Sequence, residues 1–436
     1  MKKSLLISLA GVLALLVVSV FALSAFGAEA VKLKYFSPET DPTSVEIDKT
    51  IIQRFESAHP GVKVELIHGG FDDLLPMLPS MVKAGTAPDI AFFGPRYVAG
   101  LAAQGLLLPL DDLFEEIGDI PRNLISPTED ERIYDIPILM ESEVLYYRKD
   151  LFEKAGLKVP STFEEWIDVA KSLTVDLDGD GQFDRWGMAI QGKAPENAVR
   201  FTGVLWSNGG DYFDQDWNVA IESPQAIEAL KTWGELAQYA PPGVPTTGNF
   251  EAATQFAQDL VAMVKYPGRI LTIIDRYNPD MAPNVAVAIP PVGPSGEKPV
   301  VWSPLNDFIV FASTKHPSLA KEFIKFYLSD EQYFLFLTKS VPGHNLPVRT
   351  SWLEKKEYFE APEIARWVGV VKESLRIAFE YGTDFHIRYP RNPYVGRAVS
   401  GPVWTGLLNS FLARQISAEE AIAEVAKAWR EEFGIK

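Results

Sequence analysis

One segment of this sequence carries oxygen-bearing side chains at regular spacing. Between residues 176 and 184 the sequence reads Asp-Leu-Asp-Gly-Asp-Gly-Gln-Phe-Asp. This matches the first nine positions of an EF-hand calcium loop, including the glycine at the sixth position. The twelfth position, which is a bidentate glutamate in an EF-hand, is Gly187 here. The pattern therefore favours either a structural calcium ion or a tight acidic turn. The predicted ligands are Asp176, Asp178, Asp180, Gln182 and Asp184.

Signatures of catalytic sites are absent from the sequence. It contains no Gly-x-Ser-x-Gly, no His-Glu-x-x-His, no phosphate-binding glycine loop and no dinucleotide fingerprint. Its five histidines show no metal-ligand spacing. We therefore expect no catalytic activity. A glycosidase needs only two carboxylates at the right separation, so a secreted carbohydrate-active enzyme stays an alternative.

The first 30 residues have the layout of a secretory signal peptide. Lys2 and Lys3 precede an apolar run over residues 5–23, and small residues cluster over 24–30. We expect cleavage and export to the periplasm or cell surface. An uncleaved anchor is the alternative, because roughly 20 apolar residues can span a bilayer. The chain has no cysteine, so disulfides and a lipid-bearing N-terminal cysteine are excluded.

The net charge and the length of the chain indicate which partners are excluded and how many domains to expect. The 436 residues carry a formal net charge of −17, which opposes binding to nucleic acid or to anionic membrane surfaces. After removal of a signal peptide, about 400 residues remain, more than one hydrophobic core usually serves. We therefore expect two domains. No linker is long enough to separate them, which predicts lobes that exchange chain segments.

The first part of the mature chain alternates strand-like and helical patterns. Residues 31–36, 62–67 and 89–93 read as strands. A helix is predicted to open at Asp41, and another over 74–83, where Pro76 and Pro79 would distort it. Strand, helix and strand in alternation predict an α/β fold with a parallel sheet.

Several segments together resemble a known family. The chain is similar to the sugar-binding branch of the extracellular solute-binding proteins of ABC importers, the maltose-binding-like family. The resemblance covers nearly the whole mature chain and depends on the order and spacing of its segments. These segments are Ala84–Ile90, Gln104–Asp112, Tyr134–Gly156, Pro160–Trp166, Leu319–Leu328 and Leu346–Arg349.

The resemblance implies a two-lobed periplasmic-binding-protein fold. Its lobes are joined by hinge crossings, and they close on a ligand held in the cleft between them. It also implies a small-molecule ligand, with a sugar expected, a monomeric chain, and an ABC permease as membrane partner. The predicted boundaries are 1–30 for the signal peptide, 31–139 and 303–345 for lobe 1, and 140–302 and 346–436 for lobe 2.

The resemblance also points to candidate cleft residues. Glu141 falls where the family places a hydroxyl-binding carboxylate at the first crossing, and Phe93 matches an aromatic platform. Arg96 and Tyr97 replace a different polar pair of the family, and Arg269 lies where relatives have glycines and a tryptophan. Further candidates near the strand ends and crossings are Ser37, Glu39, Trp206, Tyr266, Trp302, Asn306 and His344.

Each candidate also has a structural alternative. Glu141 could be a solvated surface glutamate, Arg269 could form a surface salt bridge, and Trp206 could be a core residue. An anion-binding version of the cleft is a further alternative, in which Arg96, Arg200 and Arg269 would hold a polyol phosphate, peptide or organic anion.

Overall fold

A computed structural model of the chain describes residues 30–69, 74–126 and 128–436. The predicted signal peptide lies outside these residues, apart from Ala30. Over the described ranges, no helix is both long and apolar enough to cross a membrane.

The first sheet contains five strands in the order β2-β1-β3-β10-β4. Its strands are β1 (Val31–Ser37), β2 (Val62–His68), β3 (Ile90–Phe93), β4 (Asp135–Met140) and β10 (Leu305–Val310). β1 pairs in parallel with β2 and β3, as the sequence predicts, whereas β10 runs antiparallel to β3 and β4. The three strands that the sequence predicts are thus parallel to one another, and the sheet as a whole is mixed. β10 comes from a distant part of the chain, so its direction in the sheet cannot be predicted from the pattern of neighbouring residues.

The second sheet contains four strands in the order β6-β7-β5-β8. They are β5 (Val144–Arg148), β6 (Trp186–Ala189), β7 (Val261–Tyr266) and β8 (Val285–Ala288). β5 runs antiparallel to both neighbours, and β6 runs parallel to β7. Two short strands, β9 (Val301–Trp302) and β11 (Gly382–Thr383), pair in parallel beside these sheets.

Helices surround both sheets, and several begin at residues whose sequence pattern predicts a cap. Thr162 and Ser417 each precede a glutamate by three residues, a pattern that predicts a capping box, and both boxes form. Ser223 caps the helix that begins at Pro224. In chain order the helices are α1 (Pro42–Ala58), α2 (Leu74–Ala84), α3 (Val98–Ala103), α4 (Asp111–Ile117), α5 (Lys149–Ala155), α6 (Phe163–Ser172), α7 (Glu196–Ser207), α8 (Pro224–Leu236), α9 (Asn249–Ala257), α10 (Ile270–Tyr277), α11 (Pro317–Tyr327), α12 (Asp330–Leu335), α13 (Lys356–Glu360), α14 (Pro362–Ala365), α15 (Val368–Tyr381), α16 (Phe385–Arg388), α17 (Val395–Ser400), α18 (Pro402–Leu412) and α19 (Ala418–Phe433).

Each sheet is the centre of one lobe. We call the lobe around the first sheet lobe 1 and that around the second sheet lobe 2. The C-terminal helices α17, α18 and α19 share a buried apolar cluster with one face of the second sheet, and so they belong to lobe 2. The predicted domain boundaries stay predictions. Just after the boundary at residue 345, the ring of Trp352 lies 5.1 Å from that of Tyr333 in α12, so this part of the chain packs back on the preceding segment.

Three crossings of the chain lie side by side between the lobes. Glu141 donates its backbone N–H to the Pro304 carbonyl at 2.8 Å, and Glu143 donates to the Trp302 carbonyl at 3.1 Å. Met140 exchanges a pair of 3.0 Å backbone hydrogen bonds with Leu346. These bonds tie the crossings together, and the side chains near them line the junction of the two lobes.

Candidate ligand-binding cleft

Glu141 lies at the first crossing, directly after β4. Its Oε1 accepts a 3.0 Å hydrogen bond from Asn306 Nδ2 and lies 3.6 Å from His344 Nε2. Only 15% of the Glu141 side chain is exposed. The structure therefore brings three of the predicted site residues together, one from each crossing segment.

The surroundings of Glu141 alter its ionisation. Burial raises the pKa of its carboxyl from 4.5 to about 7, although Arg200, Arg269 and the Asn306 hydrogen bond act in the opposite direction. Burial, followed by the charges of the same two arginines, lowers the pKa of His344 well below its usual value. Burial therefore favours the neutral form of the His344 ring, and the two arginines favour the ionised form of Glu141.

An ion pair connects the two lobes in front of the crossings. Glu39 follows β1 in lobe 1, and Arg269 follows β7 in lobe 2. Nη2 of Arg269 lies 3.0 Å from both carboxylate oxygens of Glu39, and its Nη1 lies 3.6 Å from Asp41. The buried Ser37 hydroxyl accepts a 3.4 Å bond from the Glu39 backbone N–H. The polar residues that end β1 therefore face the loop that ends β7.

A second charged cluster lies in lobe 2, and only one of its members, Arg200, was among the residues predicted from the sequence. Glu143 accepts hydrogen bonds from Arg200 Nη1, at 2.8 Å, and from Lys265 Nζ. The Arg200 guanidinium lies 5.5 Å from the centre of the Tyr266 ring and 5.6 Å from that of Trp302. Arg200 and Lys265 each interrupt an apolar stretch of a buried helix or strand, which is the sequence signal that could have identified them.

Phe93 is the last residue of β3, and Arg96 and Tyr97 follow it in the chain. Phe93 is 1% exposed, and its ring centre lies 5.2 Å from that of Tyr97. The Arg96 guanidinium lies 4.7 Å over the same Tyr97 ring. In this conformation the Phe93 ring packs in a small apolar cluster of lobe 1 with Phe36. Its role as a ligand platform stays a prediction.

The lobes touch at the rim, where glycines allow close approach. A Cβ on Gly396 of α17 would overlap the Tyr97 ring of lobe 1. A Cβ on Gly268, beside Arg269, would overlap the Gly343 carbonyl oxygen near the third crossing. The two lobes are therefore in direct contact in this structure.

The three aromatic candidates of lobe 2 have different surroundings. Tyr266 and Trp302 are 3% and 5% exposed and flank Arg200. Trp206 instead lies in the lobe 2 core, where its Nε1 donates a 2.8 Å bond to the Tyr389 hydroxyl. The structure brings Tyr266 and Trp302 to Arg200, whereas Trp206 packs against Phe385 and Tyr389.

The acidic loop after α6 lies on the surface. Asp176, Asp178 and Asp184 can each place a carboxylate oxygen within 4.8 Å of the others, and all three are exposed. Backbone N–H groups of Gly181 and Gly179 hold the pKa of Asp176 below its usual value. A Cβ on Gly187 would overlap the Ala170 carbonyl, so this fold has no room for a position-twelve glutamate. Asp180 lies outside the group of three and accepts a 2.7 Å hydrogen bond from the backbone N–H of Gln182. Calcium binding stays a prediction.

Comparison with known proteins places these features in a family. The model of the family described as bacterial extracellular solute-binding protein matches residues 40–333. The maltodextrin-binding protein MdxE of Bacillus subtilis (strain 168) is 24% identical over 351 residues, covering 75% of this chain and 78% of its own.

Solved structures share the two-lobed fold. Maltose-bound MalE3 of T. maritima superposes with a TM-score of 0.76 at 24% identity, covering 92% of this chain and 99% of its own. An ABC transporter solute-binding protein of Agrobacterium radiobacter K84 in complex with ribitol gives a TM-score of 0.77 at 21% identity, with the same two coverages. The family match spans more than half of the sequence, and the chain belongs to the bacterial extracellular solute-binding proteins.

Proposed function

We propose that this protein captures a neutral carbohydrate in the cleft between its lobes and delivers it to the permease of an ABC importer. The observation that carries the proposal is the constellation around Glu141, where Asn306 and His344 lie against one partly buried carboxylate and the charges of Arg200 and Arg269 act on it. Sugar hydroxyls require such planar donors and acceptors, which bond adjacent oxygens in pairs.

The charge balance of the cleft favours a neutral ligand over an anion. Arg269 is already paired with Glu39 and Asp41, and Arg200 is paired with Glu143. An anionic ligand would have to compete with these carboxylates or lie beside Glu141. A ligand that offers hydroxyl groups can bond to the same side chains without separating the ion pairs.

The similar proteins support this choice of ligand class. One binds maltodextrin, one is bound to maltose and one to ribitol, all of them neutral and rich in hydroxyl groups. The same fold with a bound polyol phosphate, peptide or organic anion is the second candidate, because Arg96, Arg200 and Arg269 all lie near the cleft. A secreted carbohydrate-active enzyme is a weaker third candidate.

Closure of the lobes supplies the physical basis for capture. A ligand that contacts both lobes binds the closed state better than the open state and shifts the population towards it. We propose that the mature chain acts as a secreted monomer with no catalytic activity and no affinity for nucleic acid, and that the signal peptide is removed.

A thermal-shift panel tests the proposed function. Maltose, maltotriose, ribitol and mannitol would be compared with glycerol 3-phosphate, citrate and a tripeptide. Because a ligand that binds only the folded state raises the apparent melting temperature, we expect stabilisation by at least one neutral sugar or polyol. Stabilisation by the anions or the peptide alone would contradict the proposal, as would release of monosaccharide from an oligosaccharide during incubation.

A further inference from the structure

Hydrogen bonds to protein side chains fix only one side of the Arg200 guanidinium. Its Nη1 donates to Glu143 at 2.8 Å and its Nε donates to Asn249 Oδ1 at 2.9 Å. The described residues supply no hydrogen-bond acceptor for Nη2, which carries two further N–H donors. The guanidinium thus has a fixed side and a side with unused donors, next to Tyr266 and Trp302.

The fixed side rests on a fully buried ion pair. The side chains of Glu143 and Lys265 are each 1% exposed. Lys265 occupies one oxygen of Glu143, so the other oxygen is directed at Arg200. Two cations therefore share one carboxylate, and the Glu141 carboxylate at the neighbouring crossing is the next negative charge that acts on Arg200.

Stability alone does not explain this cluster. Desolvation of buried charges offsets most of their attraction, and well-packed apolar residues of the same size are often as stable. The arrangement does give Arg200 a single orientation. A planar guanidinium whose free donors point in a fixed direction is suited to adjacent hydroxyl oxygens.

We infer that Arg200 is a ligand-binding residue of the cleft and that Glu143 and Lys265 are positioning residues that orient it. This inference rests on the proposed function for the class of ligand, which is a neutral compound with neighbouring hydroxyls. Arg200 donates to those hydroxyls through Nη2. Glu143 and Lys265 do not contact the ligand.

The first test uses the ligand-free protein, so its outcome is independent of the proposed function. Carboxyl ¹³C NMR of glutamate-labelled protein would follow the titration of Glu141, with E141Q to assign its signal. Because Arg200 stabilises the Glu141 carboxylate, the midpoint should rise in R200M. It should also shift in the double variant E143Q/K265M, because this variant keeps Arg200 and the net charge but removes the two side chains that orient Arg200.

The second test measures affinity for whichever panel sugar stabilises the wild-type protein. Loss of charge-assisted hydrogen bonds should weaken binding roughly ten- to a hundredfold in R200M, and by a smaller factor in E143Q/K265M. R200K should recover part of the affinity. R148M is the matched control, because Arg148 is an equally buried arginine of lobe 2, paired with Asp150 and Asp259. It should alter stability without changing affinity or the Glu141 midpoint.

Two results would overturn the inference. Unchanged affinity in R200M would remove Arg200 from the ligand site. A double variant with wild-type affinity and a wild-type Glu141 midpoint would show that Glu143 and Lys265 do not position Arg200. If R200M does not fold, R200K and the double variant still allow the affinity and the Glu141 midpoint to be measured.

Discussion

Arg269 and Glu39 join the two lobes through a charged contact, with Nη2 of the arginine 3.0 Å from both oxygens of the carboxylate. The pair is partly buried, since the Glu39 side chain is 9% exposed and that of Arg269 is 32% exposed. Glu39 belongs to lobe 1 and Arg269 to lobe 2, so the contact forms only when the two lobes are close together.

The pair should therefore influence closure before any ligand is present. In R269M we expect the ligand-free protein to be more open, with a larger radius of gyration in small-angle X-ray scattering. R349M is the control, because Arg349 pairs with Asp119 and Asp330 away from the cleft. Identical scattering by R269M and the wild-type protein would mean that the pair does not hold the lobes together.

The raised pKa of Glu141 makes stability depend on pH. Its pKa is 4.5 in the unfolded chain and about 7 in the folded protein, chiefly because of burial. The folded state then binds more protons between these values, and the contribution of Glu141 to stability is lost as the pH rises from 4.5 through 7. The melting temperature of E141Q relative to wild type should rise over this range.

The size of that effect can be estimated. The shift from 4.5 to about 7 corresponds to about 3 kcal/mol of unfolding free energy between the two ends of this pH range. E164Q is the control, because Glu164 is exposed on α6. The contrary result is a difference in melting temperature between E141Q and wild type that does not change from pH 4.5 to pH 8. It would show that Glu141 is solvated.

Gly396 offers a way to block closure from the rim. A leucine at this position would meet the Tyr97 ring of the opposite lobe. We expect G396L to fold, to bind the panel sugar more weakly, and to keep an open scattering profile when sugar is added. G406L is the matched control, because a Cβ on Gly406 of α18 would meet nothing within 4 Å. Ligand-induced compaction of G396L equal to that of wild type would contradict the closed contact.

The acidic loop gives a prediction for calcium. If Asp176, Asp178 and Asp184 hold an ion in the folded state only, a chelator should lower the melting temperature of calcium-loaded protein. D178N should remove that sensitivity, whereas D216N, in an exposed turn with no such group, should retain it. A wild-type melting temperature that does not respond to the chelator would exclude calcium at this loop.

Much of the local structure could be predicted from the sequence because its signals are short-range. The capping boxes at Thr162 and Ser417 and the strand over 31–36 depend on neighbouring residues, and all three are confirmed. The antiparallel entry of β10 was missed, because strand direction depends on the path of the whole chain.

The candidate site was predictable only in part for the same reason. Glu141 could be placed by resemblance, and the structure shows its neighbours, Asn306 and His344, which come from distant segments. The partnership of Arg200, Glu143 and Lys265 was not visible, because it joins a helix, a crossing and a strand that are far apart in sequence. The environment of Trp206 likewise depends on Tyr389, 183 residues further along.

The central claim is that a neutral sugar binds in the cleft at Glu141. Titration calorimetry of the panel sugar with wild type and E141A tests it most directly, beside melting curves of both proteins. Hydrogen bonds to a charged group contribute about 1.5–3 kcal/mol, so the affinity of E141A should fall roughly ten- to a hundredfold while its fold is retained. Wild-type affinity in a folded E141A would contradict the placement of the ligand at this crossing.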